Sequence, residues 1–351
     1  MKLMKAIFFV GVALFALETQ ALAGAADKHL DVYWVDVEGG AATLIVTPAG
    51  ESVLIDSGYP GGRDAPRIAA VAEQAGIKKI DFMVVTHFHI DHFGALPEIA
   101  KLIPVGTLYD HDIATAPAED QKNELIKAYQ AMKVDKRIVV KPGDKIPLKA
   151  TPNAAPLTIQ FLGGVEKFVD SKKAKDNDAA LCGSNQPRPL DESDNRNSIV
   201  TLLAFGPFRL FDGGDLTWNT ENALVCPKNR VGAVDVYQTD HHGLDMSNNP
   251  VLVKTLQPTV AVVNNGPRKG GEPGTIATLK ATASIQSVYQ LHRNVRVGAD
   301  QNTAPELTAN ADENCKANIV KMSVDPAGKT YAVSIPATHL SKTYETRVKA
   351  P

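Results

Sequence analysis

Four metal-capable side chains, His87, His89, Asp91 and His92, fall within the run Thr86-His87-Phe88-His89-Ile90-Asp91-His92. The apolar, strand-like run Asp81–Thr86 ends on this cluster, and helical character resumes over Gly94–Leu102. The chemistry is therefore expected on a strand-to-helix loop. In an extended segment alternate side chains share a face. His87 and His89 can thus chelate one ion, while Asp91 and His92, where the chain turns, reach a second. Imidazole nitrogen and carboxylate oxygen suit zinc, and also iron or manganese.

The rest of the chain supplies strands and helices to hold such a loop. Val32–Val37, Ala42–Thr47 and Ser52–Ile55 read as a meander divided by Gly39-Gly40 and Pro48-Ala49-Gly50. A helix is expected from Asp64 as N-cap, with Pro66 in its first turn, an apolar face of Ile68, Val71 and Ala72, and Gly76 at its end. Val105–Tyr109, Arg137–Val140 and Leu157–Leu162 read as strands and Glu119–Met132 as a polar helix. The polar stretch Glu166–Arg196 has no hydrophobic period and reads as a long insertion loop. Beyond it, Ser198–Phe205, Phe208–Phe211, Val234–Thr239, Thr259–Val263 and Ser287–Leu291 are expected strands. A final hairpin, Ile319–Val324 and Thr330–Ile335, turns at Asp325-Pro326-Ala327-Gly328.

Two lysines in Met1–Lys5 precede the apolar run Ala6–Leu17 and the small-residue end Ala21-Leu22-Ala23. This is the pattern of a secretory signal peptide cut after Ala23. The apolar run is too short to cross a bilayer as a helix. Residues 24–351 are therefore expected as one exported domain, periplasmic or secreted, with the hairpin as a C-terminal extension and no membrane span. An oxidising compartment permits one disulfide among Cys182, Cys226 and Cys315, and the sequence does not say which pair forms it. A formal net charge of −2 speaks against a generally basic surface, so a small-molecule substrate is expected rather than a stable nucleic-acid partner. Nothing in the sequence marks an oligomeric state.

The motif His-x-His-x-Asp-His resembles that of the metallo-β-lactamase superfamily, and the likeness runs from about Leu30 to Asn294. Within the superfamily the chain is most similar to the metallo-hydrolase domain of bacterial DNA-uptake (competence) channel proteins and to secreted phosphorylcholine esterases. Three groups of segments carry that likeness. They are Val35–Ile45 with Leu54-Ile55-Asp56-Ser57-Gly58; Asn197-Ser198-Ile199-Val200 with Phe211-Asp212-Gly213-Gly214-Asp215; and Asp240-His241-His242-Gly243. The resemblance implies a four-layer α/β/β/α sandwich. It also implies two metal ions, zinc first with manganese or iron as alternatives, and Asp215 as the carboxylate that bridges them. Asp56 is implied as a residue that orients the ligands, with a turn role as the alternative. One of His241 and His242 closes the second shell. His241, which directly continues the strand run, is expected as the ligand, and His242 as the substrate-facing catalytic partner beside Asp91. The reverse assignment stays open.

One departure accompanies the match. Many superfamily hydrolases place a further histidine shortly before the bridging aspartate, but no histidine lies between His111 and His241. Asn197-Ser198 stands there instead, as in the DNA-uptake relatives. Counting ligands, the first site has His87, His89 and a shared Asp215, with Asn197 a weak neutral candidate, and should bind more loosely than the second. His111 and His292 each follow a strand and either face the cleft or serve the loops. Arg268 and Lys269, in the glycine-rich segment Gly266–Pro273, either attract an anionic substrate or form a solvated loop. The implied function is hydrolysis by a metal-bound hydroxide, on phosphate esters and phosphodiesters ahead of lactones, thioesters and β-lactams. The alternatives are an exported metal-containing binding or scaffolding protein with little turnover, and an extracytoplasmic nuclease.

Overall fold

The computed structural model describes residues 26–170, 172 and 174–347; the segment read as a signal peptide lies outside the described residues. Alternation of side chains along each strand decides the layering. In the strand Ile80–Val84, Phe82 and Val84 enter one apolar cluster, while Met83, with Val85 just past the strand, enters another on the opposite face. Both faces are covered, as expected for a strand that pairs in parallel with Ser52–Ile55 and Val105–Asp110.

Among the described residues the strands form two large sheets of nine and eight strands and a small two-stranded one. Leu30–Trp34, Thr43–Val46, Ser52–Ile55, Ile80–Val84, Val105–Asp110 and Lys136–Val139 lie side by side in that order in the first large sheet. In the second, Leu157–Gly164, Val200–Phe205, Phe208–Asp212, Val236–Gln238, Val260–Val263 and Ser287–His292 are successive neighbours. The sheets meet face to face. Leu30, Val32, Trp34, Ile55 and Val84 from the first share one buried cluster with Phe161, Leu203, Leu210, Val236 and Val262 from the second. Each such side chain contributes roughly 1.5–3 kcal/mol by leaving water. A polar tie crosses this apolar layer, the Trp34 indole N–H donating to Gln238 Oε1 at 2.7 Å.

Helices cover both outer faces. Asp64–Gln74 and Leu96–Leu102 pack Ile68, Val71 and Ile99 against Leu44, Leu54 and Met83. On the other side Trp218–Val225, Pro250–Leu256 and Pro273–Ala281 pack Leu224, Leu252 and Ile276 against Phe211, Tyr237 and Ala261. The result is the four-layer α/β/β/α sandwich. No helix among the described residues is long and apolar enough to cross a membrane.

Several boundaries differ from expectation for identifiable reasons. Asp64 is the first helical residue rather than the cap, and its carboxylate accepts from Tyr59 N at 2.8 Å. The expected helix Glu119–Met132 is two, Ala118–Gln121 and Glu124–Gln130, because Asn123 caps the second by accepting from Leu125 N. The C-terminal hairpin is built into the first sheet: Val320–Val324 pairs antiparallel with Leu30–Trp34, and a further strand, Leu340–Glu345, follows. The insertion is not structureless. It holds the short helix Ala179–Gly183, and a Cys182–Cys226 disulfide ties it to the end of Trp218–Val225; Cys315 is free.

Candidate metal centre

Thr86 and His87 follow the strand Ile80–Val84, His89 is still extended, and Ile90–Phe93 forms one helical turn. Extended backbone carries His87 and His89, while the turn swings the adjacent Asp91 and His92 inward together. From the second sheet, Asp215 follows Phe208–Asp212, its own N–H donating to Ser198 Oγ at 3.0 Å. His241 and His242 follow Val236–Gln238 in a turn where both have left-handed backbone, φ 53° and 55°.

These side chains converge on one oxygen. Asp215 Oδ2 lies 3.1 Å from His92 Nε2, 3.4 Å from His242 Nε2, 3.5 Å from His241 Nε2 and 3.8 Å from His87 Nε2. Asp91 Oδ2 lies 3.1 Å from His242 Nε2 and 3.5 Å from His92 Nε2. Asp91, His92, Asp215 and His242 form a buried group whose ligand atoms all lie within 4.8 Å of one another. The His87 ring packs against both His92 and His89, with ring centroids 4.1 and 4.6 Å apart.

Of the two adjacent histidines, His242, fully buried, is the one that joins Asp91, His92 and Asp215, while His241 approaches Asp215 Oδ2 at 3.5 Å. A continuing strand would have sent one of the pair away from the cluster; two successive left-handed residues break that period and turn both inward. Such backbone costs about 1–2 kcal/mol per residue. The His241 N–H bond to Gly214 O at 3.0 Å and the acceptance by His242 O from Gly271 N at 2.9 Å hold it. Asn197, the neutral candidate, spends its amide elsewhere, donating to Asp194 Oδ1 at 2.8 Å.

Around the cluster, buried partners fix the rings. Asp56 Oδ2 lies 2.7 Å from His92 Nδ1 and accepts from Thr86 Oγ1 at 2.7 Å, while its Oδ1 accepts from Thr86 N at 2.8 Å. Asp56 is thus the orienting carboxylate. His111 faces away, sharing Asp194 Oδ2 at 3.0 Å, and the same oxygen accepts from Phe88 N at 2.7 Å. Asp194, on the insertion, pins the histidine loop and was not singled out from the sequence. His292 bonds Asp36 Oδ1 at 2.6 Å, outside the cluster. Arg268 pairs with Glu313 at the surface, whereas Lys269 turns in and donates to Asp91 Oδ2. Their identical charge and adjacency in sequence gave no hint of that split.

The electrostatics fit cation binding. Burial holds the His87 imidazole well below its ordinary value and pushes His241 down to about 4, so both rings are neutral near pH 7. Fully buried His87 Nε2 has no hydrogen-bond partner. Burial alone would raise Asp91 and Asp215, but His92 and the other facing cations hold both well below the usual carboxylate range. Burial opposes protonation of His92, yet Asp215, Asp56 and Asp91 raise it well above its ordinary value. An orphaned neutral nitrogen beside two ionised carboxylates is a donor set suited to a divalent cation.

Residues 35–169 match the sequence profile of the Metallo-beta-lactamase superfamily. Those residues therefore carry the sequence features of a metallo-β-lactamase superfamily domain. The profile spans His87, His89, Asp91 and His92, while Asp215, His241 and His242 lie beyond it. A UPF0173 metal-dependent hydrolase of Polynucleobacter asymbioticus is 34% identical over 99 residues, 28% of this chain and 33% of that protein. A coenzyme F420H(2) oxidase of Methanothermobacter marburgensis is 29% identical over 97 residues, 27% of this chain and 22% of that protein. These matches span a third or less of the relatives' own length. Among solved structures, the subclass B3 metallo-β-lactamase MEM-A1 from a soil metagenome library aligns at 15% identity, covering 74% of this chain and 75% of that one with TM-score 0.32.

Proposed function

We propose that this protein is an exported hydrolase that holds two divalent cations, zinc first, and acts on a phosphate ester or phosphodiester. The observation that carries the reading is the convergence of His87, His92, His241 and His242 on Asp215 Oδ2. His87, His89, His241 and Asp215 would hold one cation; Asp91, His92, His242 and Asp215 the other. Cations bound there supply Lewis acidity and a hydrolytic nucleophile at neutral pH. The chain's own contribution is to present the neutral imidazoles of His87 and His241 beside the ionised carboxylates of Asp91 and Asp215, and to fix the His92 ring through Asp56. His89, 26% exposed, marks the open side, 3.9 Å from Asp120 Oδ1. A cleft of about 460 Å³ lined by Arg188, Leu190, Trp218 and Met246 begins beside Thr217, two residues past Asp215.

The phosphate ranking is supported by likeness of the Asn197–Val200, Phe211–Asp215 and Asp240–Gly243 segments to the DNA-uptake hydrolases, an argument by analogy. Export is supported by the Cys182–Cys226 disulfide, a bond favoured outside the cytosol. Metal analysis of the purified mature protein, then hydrolysis of bis-p-nitrophenyl phosphate against a lactone and a β-lactam, tests the reading. Turnover of the phosphodiester that vanishes on chelation and returns with zinc or manganese is expected. Faster turnover of the lactone or lactam would reverse the substrate order, and a metal-replete protein inert to all three would favour a binding protein.

A further inference from the structure

We propose that Lys269 is an anion-holding residue of this site, so that the substrate presents a negatively charged oxygen beside the cluster. The inference rests on the metal-hydrolase reading and names the charge of its substrate.

Among the described residues, Lys269 is the one lysine or arginine whose ion pair includes a cluster carboxylate, and that carboxylate is Asp91. Its ammonium also lies 3.5 Å from the Tyr59 hydroxyl. An ammonium has three donors. Asp91 and Tyr59 account for two, and the side chain, 32% exposed, keeps an open side. Asp91 Oδ2 is also the oxygen that His92 and His242 approach, so the ammonium stands next to the atoms that would hold a cation. The other cations of this wall are committed elsewhere: Arg63 to Glu38 and Asp64, Arg67 to Asp36 and Glu38, and Arg268 to Glu313.

The position is built rather than incidental. Gly39 has φ +93°, and a Cβ there would lie 3.0 Å from Lys269 Cβ, so the glycine makes room for the lysine stem. On the far side, Gly270 has φ +77°, and a Cβ there would strike His242 O at 2.1 Å. Gly266 N donates to Lys269 O at 2.8 Å and Gly271 N to His242 O at 2.9 Å. The loop is thus clamped to the backbone of a cluster histidine, and the ammonium is carried with it. A salt bridge needed only to steady Asp91 would not require an open face. One fixed positive charge matches one anionic oxygen, such as the non-bridging oxygen of a phosphodiester.

The test uses metal-loaded wild type, Lys269→Met and Lys269→Arg, with metal content measured in each. Inorganic phosphate is titrated calorimetrically, and kcat/KM is compared for anionic bis-p-nitrophenyl phosphate and neutral p-nitrophenyl acetate. Losing a charge-assisted hydrogen bond predicts phosphate binding about 10- to 100-fold weaker in Lys269→Met. Partial recovery is expected in Lys269→Arg, with a fall in the anionic-to-neutral ratio of similar size in Lys269→Met. Wild-type phosphate affinity in a fully metallated Lys269→Met, or an equal fall for both esters, overturns the proposal. Loss of metal from Lys269→Met overturns it too, since Lys269 would then be a prop for Asp91. If wild type hydrolyses neither ester yet phosphate binding depends on Lys269, the hydrolase reading fails and the anion site stands. If wild type cleaves the phosphodiester and Lys269→Met does so equally well, the inference alone fails.

Discussion

Replacing Asp56 by Asn isolates what one buried carboxylate does for the metal centre. Asp56 has φ +60°, a left-handed conformation that Asn tolerates and Ala does not, so the substitution adds little backbone strain. Asn keeps one oxygen for the Thr86 N–H, at 2.8 Å in the native protein. The other position becomes an NH2 facing His92 Nδ1, where Oδ2 now stands at 2.7 Å. The charge-assisted bond that holds the Nδ1 proton, and so aims Nε2 toward Asp91, Asp215 and His242, is lost. Such a bond contributes about 1.5–3 kcal/mol. Loss of a partner that orients a ligand typically lowers metal affinity by about 10- to 100-fold. The two figures agree, since tenfold corresponds to about 1.4 kcal/mol. Calorimetric titration of the metal-free protein with zinc should show one of two binding events weakened by that factor, while circular dichroism shows the fold retained. A folded Asp56→Asn protein with two wild-type affinities would refute the argument that Asp56 sets the His92 ring.

Three further outcomes follow from the same geometry. His241→Ala should weaken the event assigned to His87 and His89, and His242→Ala the event assigned to Asp91 and His92. Asn197→His should tighten neither, because that side chain is turned to Asp194; reversed selectivity in the titrations would assign His241 and His242 to the opposite events. The Cys182–Cys226 bridge closes a loop of sequence separation 44, worth up to about 4 kcal/mol by chain entropy, so Cys182→Ser with Cys226→Ser should lower the urea midpoint, and an unchanged midpoint would deny the bridge a stabilising role. Burial pushes the Asp212 carboxyl up to about 7 even though Gly214 N donates to it. The folded value lies above the unfolded value of about 3.9, so its stabilising contribution is complete below about pH 4 and lost as pH rises through about 7. In the metal-free protein, Asp212→Asn should therefore lose less stability than wild type between pH 5.5 and pH 8 in urea titrations; parallel losses would contradict the shift.

What the sequence revealed and what it hid divide along a physical line. His87, His89, Asp91 and His92 were legible because their geometry is local: one strand end and one helical turn fix all four, and the spacing alone carries that information. The strand Ser52–Ile55 was legible to its ends for a similar reason, being bounded by turn residues. The turn that aims both His241 and His242 inward was not, because it depends on two consecutive left-handed residues, and neither is the glycine that usually announces such backbone. Asn123 did announce the break between two helices, being a good N-cap, but the polar stretch around it masked the signal. Lys269 and Arg268 present the opposite difficulty: their composition is unambiguous, yet only the close packing of Gly39 and Gly270 decides which of two neighbouring cations turns inward. Such contacts join segments more than two hundred residues apart, as with Lys269 and Gly39, and no local pattern encodes them. The same holds for Asp194. Its place in the fold was hidden in a polar insertion, yet it receives the Phe88 N–H between the two first-site histidines and so helps set their spacing. The motif thus specifies which atoms can bind a cation. Segments distant in sequence, bringing Asp56, Asp194, Lys269 and the His241-His242 turn to it, decide how those atoms are aimed and what charge the site will accept.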